Sequence, residues 1–310
     1  MKQYIFGVDV GGTTIKMGFF SMEGELLEKW EIPTRRENNS ENVLPDIAKA
    51  IEEKLKEKGI SKELVAGVGF GVPGPVTKEG VIQMNANLGW KNKHVAKELE
   101  ELTGLPCKGG NDVKTAGLGE MWKGGAAEYD NAVFITLGTG VAAAIIVEGN
   151  VILGAMGAAG EIGHIKVDME ETDVCGCGGI GCAEQYASAT GIVRMAKRKL
   201  AESDKASVLR EGDVTSKAVF DAYKAGDELA VEVVEKFGHY LGYSLAATAA
   251  VVDPEAFIIG GGVSKAGEVL VDVVQKYYKQ YVWPGCRDKK FVLAKLGNDA
   301  GIYGAASYIR

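Results

Sequence analysis

The chain opens on a strand, a glycine–threonine turn and a second strand, and the same pattern begins again near residue 132. Tyr4 to Val10 is an apolar run that ends in glycines, and the run Lys16 to Phe20 follows it. Ala132 to Thr136 is likewise followed by Gly138-Thr139-Gly140 and by the apolar run Ala142 to Val147. Short apolar runs separated by turn residues predict hairpin-forming strands. The repeat therefore predicts two domains that open in the same way.

Helical periodicity alternates with these strands, which is typical of α/β proteins. Helices are predicted from Asn42 to Lys58, over Lys93–Thr103, from Asn111-Asp112 through Trp122, and through most of Lys217–Val252; buried strands are predicted at Val65–Val72 and Phe257–Ile259. We place a domain boundary near residue 118. Residues 1–118 then form a smaller N-terminal α/β domain and residues 119–298 a larger one, and we expect residues 299–310 to pack back on the first.

Composition excludes several classes of protein. The 310 residues are 46% hydrophobic and 25% charged, which is ordinary for a globular chain long enough for two domains. The net charge of -7 and the absence of a basic block argue against a nucleic-acid binder. No apolar run reaches the roughly 18 residues of a membrane span, and Met1 leads directly into a strand without a signal pattern. We expect a cytoplasmic protein with no membrane partner.

Three cysteines and one histidine lie close together in the second half of the chain. Cys175 and Cys177 are separated by one residue, Cys182 follows shortly after, and His164 lies upstream. One imidazole and three thiols are the four ligands of a closed tetrahedral zinc site. Buried free cysteines that act as small hydrophobes are the alternative. With no open ligand position, the sequence predicts a structural Zn²⁺ that holds the two neighbouring glutamates in place.

Glycine and threonine at strand ends allow backbone N–H groups and hydroxyls to approach an anion. Each such turn is weak support by itself, because glycine ends many strands for steric reasons. Lys16 either adds a positive charge beside a phosphate or is simply solvated. Together the turns indicate a bound nucleotide, and they comprise Gly11, Gly12, Thr13 and Thr14, then Gly138, Thr139 and Gly140, then Gly260, Gly261 and Gly262.

Asn111-Asp112 lies between a glycine pair and a predicted helix. A carboxylate in this position can accept a proton from a substrate hydroxyl while the amide orients that hydroxyl, although the same dipeptide also suits a helix N-cap. Trp90 packs either against a sugar face or in the core. Several hydroxyl-binding groups on loops favour a sugar substrate, and the further ones are Asn87, Glu161 and Glu184.

These residues resemble the ROK family of sugar kinases and sugar-responsive repressors, within the actin-like ATPase superfamily, and bacterial glucokinases of that family most of all. The likeness runs from Asp9 nearly to the C-terminus. Its most specific part is Glu161-x-x-His164 followed by Cys175-x-Cys177-Gly178-x-x-Gly181-Cys182-x-Glu184. Supporting motifs are Asp9-x-Gly11-Gly12-Thr13, Gly69-x-Gly71-x-Pro73-Gly74, Asn111-Asp112, Gly138-Thr139-Gly140 and Gly260-Gly261-Gly262.

The resemblance implies two actin-like (ribonuclease H-like) ATPase domains with a cleft between them, assembled as a homodimer. It implies ATP-dependent phosphorylation of a hexose at its 6-hydroxyl, with glucose as the leading substrate. Asp112 would be the catalytic base, Mg²⁺ would neutralise the phosphates, and Asp9 would hold that ion through water. Zinc would be bound by His164, Cys175, Cys177 and Cys182, and sugar by Asn87, Asn111, Asp112, Glu161, His164 and Glu184.

The chain departs from the family pattern at three places. Ala142-Ala143-Ala144 stands where relatives usually carry glycines, so its methyl groups either block backbone approach to a phosphate or lie harmlessly in the following strand. Met156 stands where many relatives have histidine, and Lys114 where a small or amide residue is more usual. Nucleotide affinity is the property that these changes put in doubt.

Other functions stay open at the level of sequence. Fructose, mannose and the N-acetylhexosamines share the hydroxyls that glucose presents, and polyphosphate or ADP can replace ATP as donor. A repressor of this family would carry an N-terminal helix-turn-helix domain, for which a first strand that begins by Tyr4 leaves no room. A sugar sensor without catalytic activity is the third alternative, although Asp112 is retained.

Overall fold

The computed structural model describes residues 1–85 and 87–310, which divide into two compact units. Unit 1 contains Met1–Glu128, Asn150–Ala159 and Lys295–Arg310, and unit 2 contains Tyr129–Gly149 and Gly160–Ala294. Each unit has its own hydrophobic core.

Unit 1 is built on a five-stranded mixed sheet. The strands of this sheet are β1 (Tyr4–Val10), β2 (Thr14–Ser21), β3 (Leu26–Pro33), β4 (Val65–Val72) and β7 (Cys107–Asn111). A separate hairpin is formed by β5 (Val81–Asn85) and β6 (Trp90–His94). Its helices are the short α1 (Glu37–Ser40), α2 (Val43–Lys58), α3 (Val95–Thr103) and α4 (Asp112–Lys123). The sheet order is β3-β2-β1-β4-β7, in which β1 to β3 are antiparallel and β4 and β7 are parallel to β1. The carboxyl ends of β1, β4 and β7 therefore meet at one edge of the sheet.

The last helix of the chain in unit 1 packs closely on this sheet and on α4. At Gly304, a Cβ would lie 1.6 Å from the carbonyl oxygen of Thr115 in α4, and at Gly69 of β4 it would lie 1.6 Å from the carbonyl oxygen of Ala305. Only glycine allows backbones to approach this closely. These contacts join the final helix to the first half of the chain.

Unit 1 also contains the short strand β10 (Asn150–Val151) and the final helix α10 (Ala300–Ser307). The elements of unit 2 are β8 (Ala132–Leu137), β9 (Val141–Val147), α5 (Glu184–Ala187), α6 (Ala189–Glu202), α7 (Ser216–Lys224), α8 (Glu228–Val252), β11 (Ala256–Gly260), α9 (Glu268–Tyr281) and β12 (Lys290–Leu293). Within unit 2 the strands follow the order β9-β8-β11-β12, antiparallel for β8 with β9 and parallel for the rest. The long helix α8 is buried against α9 and α6 by residues such as Phe237 and Leu241. The two predicted strand–turn–strand openings are both antiparallel hairpins, β1–β2 and β8–β9.

Three details differ from the sequence-based expectations. The helix predicted from Lys93 begins at Val95, because Lys93 pairs with Ile82 in the β5–β6 hairpin. The predicted boundary near residue 118 lies inside α4, and unit 1 continues to Glu128. Unit 1 also takes in residues 150–159, which sequence periodicity does not single out.

None of the helices among residues 1–85 and 87–310 has both the length and the apolar character that crossing a membrane requires.

Candidate active site and metal centre

Asn111 ends β7 and caps helix α4. Its backbone is extended, and its side-chain oxygen accepts a hydrogen bond from the Lys114 N–H at 3.1 Å. Its Nδ2 donates to the Gly74 carbonyl oxygen at 3.1 Å and to Asp112 Oδ1 at 2.8 Å. The helix-cap alternative is therefore correct for Asn111, and the same side chain also orients the neighbouring carboxylate.

Asp112 begins α4 with one carboxylate oxygen held and the other available. Oδ1 accepts the Val113 N–H and the Asn111 amide, both at 2.8 Å. Oδ2 makes no side-chain hydrogen bond within the described part of the chain. Burial raises the pKa of the Asp112 carboxyl, although hydrogen bonds from the Val113 N–H, the Asn111 amide and its own backbone N–H, and the charge of Lys114, act against this. A partly buried carboxylate with a raised pKa and a free oxygen is the arrangement expected of a general base.

Asp9 places a second carboxylate near the carboxyl end of β1. Burial raises its pKa to about 6, the charge of Lys16 lowers it, and the charge of Asp112 raises it further. Gly301 of α10 packs directly on this side chain, since a Cβ there would lie 2.5 Å from the carboxylate. Two mutually repelling carboxylates at one sheet edge favour a bound cation.

The turn from Gly11 to Thr14 connects β1 to β2. It closes through the Gly11 N–H, which donates to the Thr14 carbonyl oxygen at 3.0 Å, and Thr34 Oγ1 donates to the Gly11 carbonyl oxygen at 2.8 Å. Gly12 and Thr13 are exposed, and a Cβ at Gly12 would meet nothing within 4 Å. The protein itself thus does not require glycine at position 12, which leaves room for a ligand to approach the backbone.

Three further candidate residues of unit 1 have different surroundings. Lys16 Nζ donates to the Asn298 carbonyl oxygen at 3.0 Å, so this lysine is not simply solvated. Asn87 is exposed and lines a cavity of about 400 Å³ together with Arg36 and Asn39. Trp90 is only 3% exposed, which places it in the core and removes it as a sugar-stacking candidate.

The four predicted metal ligands of unit 2 converge. One ligand atom from each of His164, Cys175, Cys177 and Cys182 lies within 4.8 Å of the other three. Cys177 and Cys182 Sγ are 3.7 Å apart, and Cys175 Sγ lies 3.9 Å from His164 Nδ1. Thiolates bound tetrahedrally at about 2.3 Å from zinc are separated by about 3.8 Å. The residues therefore fit a tetrahedral N/S site.

A tight turn forms this cluster. The Cys175 N–H donates to the Gly179 carbonyl oxygen at 2.7 Å, and the Gly178 N–H donates to the Cys175 carbonyl oxygen at 2.8 Å. Isolated β-bridges pair Val174 with Ile180 and Lys166 with Cys182. Backbone hydrogen bonds alone thus bring the segments that carry the candidate ligands together.

The protonation of the thiols depends on burial. Burial raises the pKa of Cys175 to about 12, and its Sγ lies 2.9 Å from Glu184 Oε1. The Gly179 N–H lowers the pKa of the exposed Cys177. Because zinc binds thiolates, a metal ion bound here would release protons, and the Cys175 proton would be the hardest to displace.

The predicted sugar ligands of unit 2 surround this cluster. Glu161 precedes the short 3-10 helix Ile162–His164 and accepts the His164 N–H through its carbonyl oxygen at 3.1 Å. His164 Nδ1 and Glu184 Oε1 are 3.8 Å apart. The structure therefore brings His164 and Glu184 together beside the thiols. Glu161 is exposed and lies at the other end of the 3-10 helix from His164.

The turn Gly138–Gly140 lies beside the metal ligands. The Gly138 N–H donates to the Gly140 carbonyl oxygen at 3.0 Å, and Thr190 Oγ1 of α6 donates to the Thr139 carbonyl oxygen at 2.7 Å. A Cβ at Gly140 would lie 2.8 Å from Glu184 Oε2. A cavity of about 650 Å³ is bounded by Thr139, Gly140, Cys175, Glu184, Thr190 and Arg194. A nucleotide phosphate at this turn would thus lie close to Glu184.

Gly260 is the last residue of β11, and Gly261 and Gly262 follow it. Gly261 has a φ of 84°, and a Cβ there would lie 2.5 Å from the Leu137 carbonyl oxygen, so this position requires glycine for internal reasons. Gly262 meets no such constraint and lines a separate cavity of about 130 Å³ with Phe220 and Lys265.

The departures from the family pattern have definite positions. Ala142, Ala143 and Ala144 lie in β9, where they pair with consecutive residues of β8. This is the second of the two alternatives, because all three residues lie in the strand rather than in the turn, and the Ala143 N–H donates to the Gly160 carbonyl oxygen at 2.8 Å. Met156 is exposed, whereas Lys114 is buried and its Nζ donates to the Gly157 carbonyl oxygen at 2.9 Å.

Sequence reasoning missed the charged groups that support the metal segment. Glu171 is buried and pairs with Arg194 and Arg198, two residues four apart on α6. Burial alone raises the pKa of Glu171, but the hydrogen bonds, from Arg198 foremost, outweigh it and hold that pKa well below its usual range. Two features of the sequence could have predicted these ion pairs: the spacing of four residues between the arginines, and the acidic stretch between His164 and Cys175.

Comparison with known proteins gives a consistent result. A model of the ROK family matches residues 5–310. The chain is 41% identical to a glucokinase of Halalkalibacterium halodurans, over 99% of this chain and 95% of that one. Among solved structures, a ROK hexokinase from Thermus thermophilus has a TM-score of 0.81 at 31% identity, covering 98% of this chain and 96% of that one. A ROK glucokinase from Streptomyces griseus, solved with glucose and AMPPNP, has a TM-score of 0.76 at 33% identity and covers 98% of each chain.

The match of fold and sequence over nearly the whole chain means that the expected actin-like α/β fold is confirmed, and that this protein belongs to the ROK family.

Proposed function

We propose that this protein is an ATP-dependent sugar kinase that converts glucose to glucose 6-phosphate. The observation that carries the proposal is the Asn111–Asp112 pair, in which two donors hold Asp112 Oδ1 while Oδ2 makes no side-chain hydrogen bond with any residue that the structure describes. The similarity to glucokinases over nearly the full chain supports glucose as the substrate.

In the proposed reaction, Asp112 accepts the proton of the sugar 6-hydroxyl. The hydroxyl oxygen forms a bond to the γ-phosphorus of ATP, the bond from that phosphorus to the β,γ-bridging oxygen breaks, and ADP leaves. Positioning and electrostatics supply most of the rate in this chemistry, because phosphoryl transfer needs little covalent help from the protein. The hydrogen bond from Asn111 Nδ2 fixes the carboxylate and so the direction of proton transfer.

The nucleotide residues of unit 1 form the turn Gly11–Thr14, with its exposed Gly12, and the neighbouring Asp9. Mg²⁺, when bound with ATP, neutralises phosphate charge. Asp9 would hold that ion through water. Burial and the charge of Asp112 raise the pKa of this carboxyl, which supports the proposal because a nearby positive charge would stabilise its ionised form. In unit 2 the proposed phosphate contacts are Gly138, Thr139 and Gly140, and Gly260, Gly261 and Gly262 are further proposed nucleotide-binding residues.

We further propose that His164, Cys175, Cys177 and Cys182 hold a structural Zn²⁺. The sulfur separations and the closed set of four N/S donors support this assignment. The ion would hold the loop that leads into α5, whose first residue is Glu184. Glu161, His164 and Glu184 remain predicted sugar ligands, as does Asn87 in unit 1.

Two broader properties stay predictions. Five free cysteines suit the reducing cytoplasm, where disulfides are rare. Homodimerisation is expected from the family resemblance, and sedimentation of the purified protein tests it directly.

The decisive experiment measures ADP release with Mg²⁺-ATP across glucose, fructose, mannose, N-acetylglucosamine and N-acetylmannosamine. Phosphorus NMR of the product identifies the phosphorylated position, and Asp112→Asn is the matched control. We expect turnover that strongly favours glucose. Preference for another hexose would show that the proposed substrate is wrong but the proposed phosphoryl transfer is right. No turnover with any sugar, despite measurable sugar binding, would make the protein a sensor.

A further inference from the structure

Lys166 lies beside the thiols although it is not one of the predicted ligands. Its Nζ donates to Cys182 Sγ at 3.1 Å and to the Ile180 carbonyl oxygen at 2.5 Å. The backbone of Lys166 pairs with that of Cys182 in an isolated antiparallel β-bridge. Both the main chain and the side chain of this lysine therefore contact the metal-binding segment.

The charge of the cluster explains why a cation is useful there. Three thiolates and a neutral imidazole around Zn²⁺ leave a net charge of minus one, and Glu184 Oε1 lies 2.9 Å from Cys175 Sγ. An ammonium in contact with a thiolate offsets part of this negative charge and directs a hydrogen bond at the sulfur.

The turn leaves space for the amine. A Cβ at Gly179 would lie 2.4 Å from Lys166 Nζ and 3.5 Å from Cys177 Sγ. Since the obstructing atom is the end of a flexible side chain, an alanine at this position would move the amine rather than break the turn. Gly179 thus allows the contact between Lys166 and the cysteine sulfurs.

We infer that Lys166 is a positioning and charge-compensating residue of the zinc site, which strengthens zinc retention through Cys182 and Ile180. This inference rests on the proposed zinc site. Hydrogen-bonding partners of metal ligands typically change metal affinity by about 10- to 100-fold when removed.

The test compares Lys166→Met, Lys166→Arg and wild-type protein, each purified with zinc. Zinc content is measured by mass spectrometry, and zinc affinity and release rate by competition with a chromogenic chelator. Lys197→Met is the matched control, because it removes the same charge from an exposed position of α6 in the same unit. Circular dichroism establishes that each variant is folded.

We expect Lys166→Met to weaken zinc affinity by about 10-fold or more, Lys166→Arg to retain most of it, and Lys197→Met to leave it unchanged. Gly179→Ala, which moves the amine and keeps its charge, should also speed zinc release. If wild-type protein holds no zinc, the proposed metal site is wrong. If wild-type protein holds one zinc and Lys166→Met retains it equally well, the zinc site stands and the inference about Lys166 is overturned.

Discussion

Glu120 and Leu296 are joined by a hydrogen bond, in which Glu120 Oε1 accepts the Leu296 N–H at 2.8 Å. Oε2 of the same carboxylate accepts the N–H groups of Gly125 at 2.7 Å and Lys295 at 3.0 Å. Glu120 is completely buried, and Lys295 is the residue at which the chain returns to unit 1. One buried carboxylate therefore joins the end of α4 to the segment that leads into α10.

Replacing Glu120 should destabilise the protein. Glu120→Ala leaves three backbone donors without their acceptor, and each unsatisfied buried group costs about 1–3 kcal/mol. We expect a loss of roughly 3 kcal/mol or more in the free energy of unfolding, measured in urea. Glu120→Gln keeps one acceptor and should lose less. Equal stability of Glu120→Ala and wild-type protein would contradict this account.

Asp112→Asn should abolish turnover and leave sugar binding nearly unchanged. The variant keeps the size and most hydrogen bonds of the side chain but cannot accept the proton, and loss of a general base typically costs about 10²- to 10⁴-fold in kcat. Steady-state kinetics and calorimetric sugar titration measure the two effects separately. Near-normal turnover would remove Asp112 as the base.

The pH dependence of the wild-type reaction follows from the same residue. Burial raises the pKa of Asp112, and the base must be ionised, so kcat/KM should fall as pH decreases through a value above that of an ordinary aspartate. An acidic limb at the ordinary aspartate pKa would be inconsistent with a buried base.

Asp9→Asn should stabilise the metal-free protein near neutral pH while impairing catalysis. The folded pKa of Asp9 is about 6, above its value of roughly 3.9 in an unfolded chain, so its ionised form destabilises the fold. The penalty is on the order of 3 kcal/mol above about pH 6 and disappears below about pH 4, where both states are protonated. Thermal unfolding with chelator at several pH values measures it. A stability difference independent of pH would refute this explanation.

Glycine in place of the alanine run should not improve nucleotide binding. Ala142, Ala143 and Ala144 lie in β9, so we expect the KM for ATP to stay within about twofold in each single glycine variant. The buried Ala143 and Ala144 should each cost about 0.5–1 kcal/mol of stability when replaced, because glycine is more flexible in the unfolded chain. A large fall in the KM for ATP would place these methyl groups at the phosphate.

Zinc removal should weaken sugar binding. Cys175 and His164 both contact Glu184, so loss of the ion frees the loop that holds a predicted sugar ligand. We expect the sugar dissociation constant to rise by roughly tenfold, measured by calorimetry on protein whose metal content is verified. Unchanged binding after complete removal would separate the zinc site from the sugar site.

Local patterns predicted the elements and the ligand set well. Strand–turn–strand openings and amphipathic helices are short-range features, so β1–β2, β8–β9 and α2 could be predicted from nearby residues alone. The convergence of His164 with three cysteines followed from spacing and donor type, because few other uses bring four such donors together.

Contacts between distant residues decided the rest. Glu120 meets Leu296, and Lys114 meets Gly157, only because the chain returns to unit 1 twice after leaving it. The sequence by itself determined the family motifs, most of the elements and the candidate metal ligands, since these depend on residue type and local spacing. The tertiary structure decided that Trp90 is core, that the alanine run is strand and that Lys166 contacts Cys182, because burial and long-range pairing depend on how the whole backbone packs.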